Sequence, residues 1–283
     1  RRADLGVSKA QDSRWQVESS VPEPVFEEYV ASTTEAEKEL TSVGLVRIAK
    51  EVKRQKKREE TRARVAASGL VRDGWKLLPE AVADLDVRAD VIITDPPYGE
   101  ADLPRYSELG ALAVRALPDG GSLLVMTGQS YLPEVIRRLQ EHLTYQWCLA
   151  YLTPGGQSAQ LWDRKVNTFW KPLLWFVKGT YAGPWIGDVC RSEVNDKRFH
   201  EWGQSESGML DVVRRFSRPG ETILDPFCGA GTTGVAAVLE GRKFIGSDID
   251  PVALETAKER LEECNATARM ESDRNDRAGA TSN

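Results

Sequence analysis

Short apolar runs alternate with helical stretches from Val71 onward. Runs that are bounded by Gly, Pro and polar residues predict β-strands. They lie at Ala89–Thr94, Ser122–Met126, Tyr145–Tyr151, Leu173–Val177, Thr222–Asp225 and Lys243–Ser247, with a weaker candidate near Gly74–Leu77. Helical spacing of apolar residues predicts helices at Tyr131–His142, Gly208–Arg215, Thr232–Leu239 and Pro251–Cys264. This alternation is typical of an open, mostly parallel α/β sheet with helices on both faces.

The residues on either side of this pattern differ from it. Residues 1–24 are polar and contain two prolines, which is typical of a loose lead-in. Residues 25–69 are mostly Glu, Lys, Arg and Ala, and they predict a helical, charged arm. We therefore expect an α/β domain over residues 70–266, followed by a polar tail over residues 267–283.

Charge is distributed unevenly along the chain. There are 38 Lys and Arg against 43 Asp and Glu, and the net charge of −5 excludes a uniformly basic DNA-coating protein. The stretch Arg47–Arg64 nevertheless holds nine Lys or Arg and three Glu, a net charge of +6. Such a run is either a solvated helix face or an arm that neutralises nucleic-acid phosphates, and the sequence leaves both open.

Cysteine and apolar content exclude several classes of protein. The four cysteines are far apart and form no C-x-x-C pair, which argues against a zinc ribbon or a disulfide scaffold. With two histidines in the chain, no metal site is expected. No apolar run approaches the roughly 18 residues that a membrane span needs, and no signal peptide is visible. We expect a cytoplasmic protein with no membrane partner.

The first conspicuous motif is Asp95-Pro96-Pro97-Tyr98, directly after the predicted strand that ends at Thr94. The prolines fix the backbone and remove two amide donors, which leaves a carboxylate, carbonyl oxygens and an aromatic ring to face a ligand. This set suits an amino group on an aromatic ring: Asp95 and the Pro96 carbonyl accept its hydrogens, and Tyr98 stacks on the ring. The alternative is a rigid strand-end turn in which Tyr98 only packs.

The second motif, D-P-F-C-G-A-G-T-T, runs from Asp225 to Thr233 between a predicted strand and a predicted helix. Gly229 and Gly231 allow the backbone to approach a ligand at the N-terminus of that helix. Thr232 or Thr233 can cap the helix or donate a hydrogen bond to a carboxylate. The motif therefore predicts a ligand-binding loop.

A dinucleotide is one candidate ligand for this loop. The third glycine of the dinucleotide fingerprint would fall at Gly234, and Asp248 follows the next predicted strand. An acid at that place commonly binds ribose hydroxyls. NAD and S-adenosylmethionine both carry adenosine, so the sequence of this half of the chain does not distinguish between the two cofactors.

The two motifs together resemble those of the amino-methyltransferases that act on exocyclic amines of DNA bases. The order, with D-P-P-Y first and D-P-F-x-G-x-G-T-T second, is that of the permuted β class. Further similar segments are Arg72–Trp75, Leu77–Leu78, His200–Ser205, Gly208–Gly220 and Gly241–Pro251. The resemblance covers about residues 70–265 and implies a Rossmann-like methyltransferase fold with S-adenosylmethionine as cofactor.

The resemblance also implies roles for particular residues. The expected catalytic residues are Asp95, Pro96, Pro97 and Tyr98. The expected cofactor-binding residues are Asp225, Phe227, Gly229, Gly231, Thr232, Thr233, Asp248, Ile249, His200, Gln204 and Ser205. The implied mechanism is direct in-line attack by the amine of a base flipped out of duplex DNA. A covalent cysteine mechanism is not expected, and Cys228 is interpreted as a small buried residue.

The chain also departs from the family's pattern. Gln204-Ser205 stands where the family has K-P, and Asp248 stands where Glu is common. Only residues 179–199 lie where many relatives insert a recognition domain, and the loop after Tyr98, up to Leu109, is short. Base readout needs several side chains in a groove. We therefore expect short or relaxed sequence specificity, or specificity supplied by the arm, a homodimer partner or an upstream domain.

Three functions remain open from the sequence. Adenine N6 methylation comes first, because D-P-P-Y in this family favours adenine, and cytosine N4 methylation comes second. A non-catalytic nucleotide- or nucleic-acid-binding module is the third, although the intact motifs argue against it. Phe169 and Trp170 lie where the family carries base-pocket residues, and each is a candidate for lining the flipped base or for the core.

Overall fold

We analysed a computed structural model of the chain. It describes residues 21–27, 30, 44–46, 48, 49, 52, 71, 72, 74–152, 159–161, 164–192 and 206–264. The chain divides into two units, residues 1–64 and residues 65–283. In the first unit, residues 23–27 and the described residues between 44 and 52 are helical. Most of the predicted arm lies outside the described residues.

The described part of the second unit contains a sheet of nine strands and a separate two-stranded hairpin. The strands are β1 (Val71–Arg72), β2 (Trp75–Leu78), β3 (Val91–Thr94), β4 (Ser122–Met126), β5 (Thr144–Leu152), β6 (Ala159–Leu161), β7 (Val166–Thr168), β8 (Trp170–Val177), β9 (Val189–Arg191), β10 (Thr222–Asp225) and β11 (Lys243–Ser247). The order in the large sheet is β1-β2-β11-β10-β3-β4-β8-β5-β9, and β6 and β7 form the hairpin. Neighbours from β2 through β4 are parallel, which confirms the predicted sheet class.

Helices cover both faces of the large sheet. They are α1 (Leu103–Ala116, after a short 3-10 turn at Glu100–Asp102), α2 (Leu132–Gln140), α3 (Glu206–Phe216), α4 (Thr232–Leu239) and α5 (residues 251–264). The side chains of Val91 and Ile93 pack with α3, α4 and α5, whereas Ile92 between them packs with α1 and α2. Strands buried on both faces explain why their sequences are continuously apolar. No described helix combines the length and apolar character needed to span a membrane.

Two elements differ from the sequence expectation. The segment after Tyr98 is not a loop up to Leu109, because α1 begins at Leu103 and buries Leu109 and Leu112. Pro104 is compatible with the first turn of that helix, where its missing amide has no partner to lose. The second difference is β8, which runs antiparallel to β4 and β5. The chain reaches β8 from β5 through the β6–β7 hairpin instead of a crossover helix, and a direct return of this kind produces antiparallel pairing.

Candidate active site

Three acidic residues mark one edge of the sheet. Asp225 ends β10, and Asp95 and Asp248 directly follow β3 and β11. Because β10 lies between β3 and β11 and all three are parallel, their carboxyl ends meet at the same edge. Open α/β sheets bind ligands at such an edge. The fold therefore brings both sequence motifs together, although they lie far apart in the chain.

A buried hydrogen bond joins the two motifs directly. The Thr94 hydroxyl, beside Asp95, donates to Oδ1 of Asp225 at 2.7 Å. The backbone N–H of Phe227 donates to the same oxygen at 3.1 Å and closes the turn after β10. Burial raises the pKa of Asp225 to about 6, while hydrogen bonds from Thr233 and Thr94 act in the opposite direction. Asp225 is thus a buried link between the two loops.

A chain of polar contacts runs from Asp95 to Lys171. The Tyr98 hydroxyl donates to the Asp95 carboxylate, and the Lys171 ammonium lies 3.5 Å from the Tyr98 hydroxyl. The ammonium is 5.4 Å from the centroid of the Tyr98 ring, so it lies closer to the hydroxyl than to the ring centre. Burial and the charge of Asp95 raise the pKa of Tyr98 well above its usual value, so this hydroxyl keeps its proton. Sequence reasoning gave Lys171 no role.

The tetrapeptide is also held from α1. The Tyr106 hydroxyl donates to the Pro97 carbonyl at 3.2 Å and lies 3.1 Å from the Thr127 hydroxyl. Tyr106 is buried, and burial raises its pKa to about 12. Sequence reasoning missed this residue. The available signal was a tyrosine on the buried face of a helix that follows the motif closely.

Asp248 fastens the loop after β10 to the loop after β11. Its Oδ2 accepts the backbone N–H of Gly229 at 2.9 Å, and its Oδ1 accepts the backbone N–H of Asp250 at 2.8 Å. Burial raises the pKa of Asp248, and these two amides act against that rise. Gly229 has φ +50°, and a Cβ added there would meet no atom within 4 Å. The backbone at Gly229 is therefore open to an approaching ligand.

Gly231 in the motif and Gly234 just after it serve packing instead. A Cβ on Gly231 would lie 2.8 Å from the Cβ of Ala257 in α5, and the residue has φ +78°. A Cβ on Gly234 would lie 2.5 Å from the ring of Phe244 in β11. The contact with Phe244 explains why residue 234 is a glycine without invoking a bound dinucleotide, because glycine permits close helix–strand packing. Gly229 is the motif glycine at which the backbone faces open space.

Arg260 in α5 supports the same loop. It is 7% exposed, and its Nη1 donates to the Ala230 carbonyl at 2.6 Å and to the Thr232 hydroxyl at 3.2 Å. Sequence reasoning missed Arg260 as well. The available signal was an arginine beside Leu261 in an otherwise apolar helix face.

The remaining predicted residues are distributed as follows. Phe227 is half-buried, Ile249 is 63% exposed, and Cys228 is buried. Burial raises the pKa of the Cys228 thiol well above its usual value, which agrees with a small buried residue. Phe169 and Trp170 are both exposed and not part of the core. His200, Gln204 and Ser205 lie outside the described residues.

Two kinds of ligand can be held at this one edge of the sheet. A carboxylate and an aromatic ring, Asp95 and Tyr98, can hold an aromatic amine. An open glycine backbone beside the N-terminus of α4 can receive a second ligand. Among the described residues, no group of three or more His, Cys, Asp or Glu side chains is placed to hold a metal ion.

Comparison with known proteins identifies the class that this fold and site resemble. Residues 181–259 match the family model N6_N4_Mtase, described as DNA methylase. This segment contains the loop after β10 and Asp248, but it begins after Tyr98. The resemblance to amino-methyltransferases that the motifs predicted is confirmed.

Curated relatives match over a short segment. Type II methyltransferase M2.DpnII of Streptococcus pneumoniae is 36% identical over 83 residues, which is 29% of this chain and 31% of that protein. Type II methyltransferase M.HinfI of Haemophilus influenzae is 37% identical over 84 residues, which is 28% of this chain and 23% of that protein. The matched segment spans less than a third of the length of these relatives.

Solved structures match over a longer part of the chain. The M1.HpyAVI–SAM complex superposes with a TM-score of 0.55 at 20% identity and covers 66% of this chain and 99% of that one. PvuII DNA methyltransferase, described as cytosine-N4-specific, gives a TM-score of 0.57 at 16% identity and covers 68% of this chain and 90% of that one. These similarities establish that the chain has the Rossmann-like methyltransferase fold.

Proposed function

We propose that this chain transfers a methyl group from S-adenosylmethionine to an exocyclic amine of a base in duplex DNA, with the N6 amine of adenine as the preferred target. The 2.7 Å hydrogen bond from Thr94 to Asp225 carries the proposal. It fixes the loop that suits an aromatic amine against the loop that suits the cofactor. Donor and acceptor of the methyl group would therefore bind side by side, as direct transfer requires.

The residues present fit S-adenosylmethionine. Gly229 leaves its backbone open, and Asp248 holds that loop in place with a carboxylate that retains lone pairs for ribose hydroxyls. The buried carboxylate of Asp225 lies at the start of the same loop and favours a cationic ligand near it. Phe227 and Ile249, half-buried and exposed respectively, would contact the adenosine. When bound, the cofactor supplies a methyl group that its sulfonium already activates.

The tetrapeptide would hold the target base. Asp95 and the Pro96 carbonyl accept the two amine hydrogens, which draws the nitrogen lone pair out of the ring system. Tyr98 stacks on the flipped base, and its own position is set by Asp95 and Lys171. The contact from Tyr106 to the Pro97 carbonyl keeps the backbone of the tetrapeptide rigid. The contribution of these residues is positioning and electrostatics.

Duplex DNA is the partner that this function needs. The expectation from the sequence stays a prediction: sequence specificity is short or relaxed, or it is supplied by the basic stretch Arg47–Arg64, a second copy of the chain or an upstream domain. The roles of His200, Gln204 and Ser205 in cofactor binding stay predictions.

The test is methyl transfer from labelled S-adenosylmethionine to unmethylated duplex DNA, with the products digested to nucleosides and identified by mass. Wild-type protein, Asp95→Ala and Asp188→Ala are run together; Asp188 is an exposed carboxylate whose Oδ2 accepts a hydrogen bond from Trp147. We expect N6-methyladenine from wild type and Asp188→Ala, and none from Asp95→Ala. N4-methylcytosine would keep the mechanism and overturn the choice of base. No transfer to DNA, with measurable cofactor binding, would refute the function.

A further inference from the structure

The hairpin formed by β6 and β7 projects from the edge of the sheet that holds Asp95. It connects the carboxyl end of β5 to the amino end of β8, and its two strands pair only with each other among the described residues. Arg164 in the turn of the hairpin donates to the Ser130 carbonyl, in the loop after β4, at 3.2 Å. Gln129 of the same loop donates at 3.4 Å to the carbonyl of Trp170, the first residue of β8. The hairpin is thus fixed beside the candidate active site.

Large apolar side chains on this hairpin and at the start of β8 face solvent. Phe169, at the exit of the hairpin, is 70% exposed, Val166 is 47% exposed and Trp170 is 38% exposed. Exposing aromatic surface in this way is unfavourable in the free protein, since burying such a ring removes apolar area from water. A cluster of exposed apolar side chains next to a site marks an interaction surface.

Distance and charge indicate what this surface contacts. Phe169 is two residues before Lys171, so their Cα atoms are within about 7 Å, and the Lys171 ammonium lies 3.5 Å from the Tyr98 hydroxyl. The turn of the hairpin carries Arg164 and Lys165, both exposed. An exposed aromatic ring close to the base-binding residues, flanked by cations, complements a duplex with one nucleotide extruded.

We propose that Phe169 is a wedge that inserts into the DNA duplex at the target site and fills the space left by the flipped base, while Arg164 and Lys165 contact the adjacent phosphates. This inference rests on the proposed function and adds the element that opens the duplex. Apolar side chains inserted between base pairs are a general means of stabilising unstacked DNA. The target base itself enters the site at Asp95 and Tyr98.

The exposure of Phe169 separates this role from lining the base pocket. A ring that lines a pocket is partly enclosed by its neighbours before the ligand arrives, as half-buried Tyr98 is at the tetrapeptide. Phe169 instead has most of its surface free to contact a partner. The two roles also differ in the step they affect, because a wedge favours flipping, whereas a pocket residue holds the base after flipping.

The experiment compares duplexes that differ in the cost of flipping. Wild-type protein first locates the methylated base on unmethylated plasmid DNA. Two duplex oligonucleotides then present that base either paired or opposite an abasic site, where flipping breaks no base pair. Wild type, Phe169→Ala, Phe169→Trp and Trp185→Ala are assayed for kcat/KM on both. Trp185 is a fully exposed aromatic residue in the segment after the carboxyl end of β8, away from the edge that holds Asp95.

We expect Phe169→Ala to lower kcat/KM on the paired duplex about tenfold, the effect of losing one base–aromatic stack, with little change on the abasic duplex. Phe169→Trp should restore the paired duplex, and Trp185→Ala should match wild type on both. An equal loss on both duplexes would assign Phe169 to the base pocket, and no loss on either would remove it from DNA binding; each result overturns the wedge. No methyl transfer by wild type would refute the proposed function and the wedge together.

Discussion

Replacing Asp225 with Asn tests the buried link between the two motifs. Asp225 is 3% exposed and accepts hydrogen bonds from Thr94 and the backbone of Phe227 through one oxygen. The amide oxygen of Asn accepts the same two bonds, and the Thr233 hydroxyl can rotate to accept from the new NH2 group. Asp225→Asn therefore keeps the shape of the site and removes the buried charge.

The negative charge of buried Asp225 lowers the free energy of unfolding at neutral pH. Burial raises the pKa of Asp225 from its ordinary value of 3.8 to about 6. Between those values the folded chain binds a proton that the unfolded chain has released, so rising pH lowers the free energy of unfolding until the folded group is ionised. The loss reaches about 3 kcal/mol at pH 7, of which about 2 kcal/mol falls between pH 4.5 and pH 7.

Urea unfolding from pH 4.5 to pH 7.5 measures this cost. The difference in unfolding free energy between Asp225→Asn and wild type should grow by about 2 kcal/mol up to pH 7 in favour of the variant. Asp84→Asn, which changes an exposed carboxylate, is the matched control. A constant difference between Asp225→Asn and wild type across this range would show that Asp225 is not destabilised by burial, and the argument from its charge would fail.

Further predictions concern the loop after β10. Gly229→Ala should weaken cofactor binding about tenfold or more, measured by calorimetry, because its methyl group would point into the open space that the cofactor approaches. It should lower the free energy of unfolding by about 1 kcal/mol, because alanine is strained at φ +50°. Gly231→Ala should instead lower the free energy of unfolding by about 2–3 kcal/mol, since its methyl group meets Ala257 at positive φ; the opposite ranking in either assay would contradict these roles. Cys228→Ala should retain methyl transfer, and loss of activity with an intact fold would indicate a covalent thiol.

Most strands of the sheet were predictable from the local sequence. The predicted strands Ser122–Met126, Thr222–Asp225 and Lys243–Ser247 have the bounds found in the structure. Each has a buried apolar centre with a polar residue at one end or at both ends, and this change in polarity marks where the strand begins or stops. The α1 helix was missed because its first turn contains Pro104 and polar residues, and its apolar spacing only begins to show at Leu109.

The candidate site was predictable where its residues are adjacent in the chain. D-P-P-Y and the glycine loop are continuous motifs, and parallel strands were sufficient to place them at one edge. The partners that hold them come from elsewhere: Tyr106 from α1, Arg260 from α5 and Lys171 from β8. Such contacts depend on which helix face meets which loop, and the spacing of residues in one element does not determine that.

The position of Lys171 shows how strongly strand direction determines the chemistry of the site. Lys171 is the second residue of β8, and β8 runs antiparallel to β4, so its amino end lies at the edge that holds Asp95. A uniformly parallel sheet would have placed Lys171 at the opposite edge, about 25 Å away for a strand of this length. The ammonium beside the Tyr98 hydroxyl is therefore a consequence of the hairpin that returns the chain from β5. The same hairpin carries Phe169, so one departure from the parallel order accounts for both the cation at the base-binding residues and the exposed ring beside them.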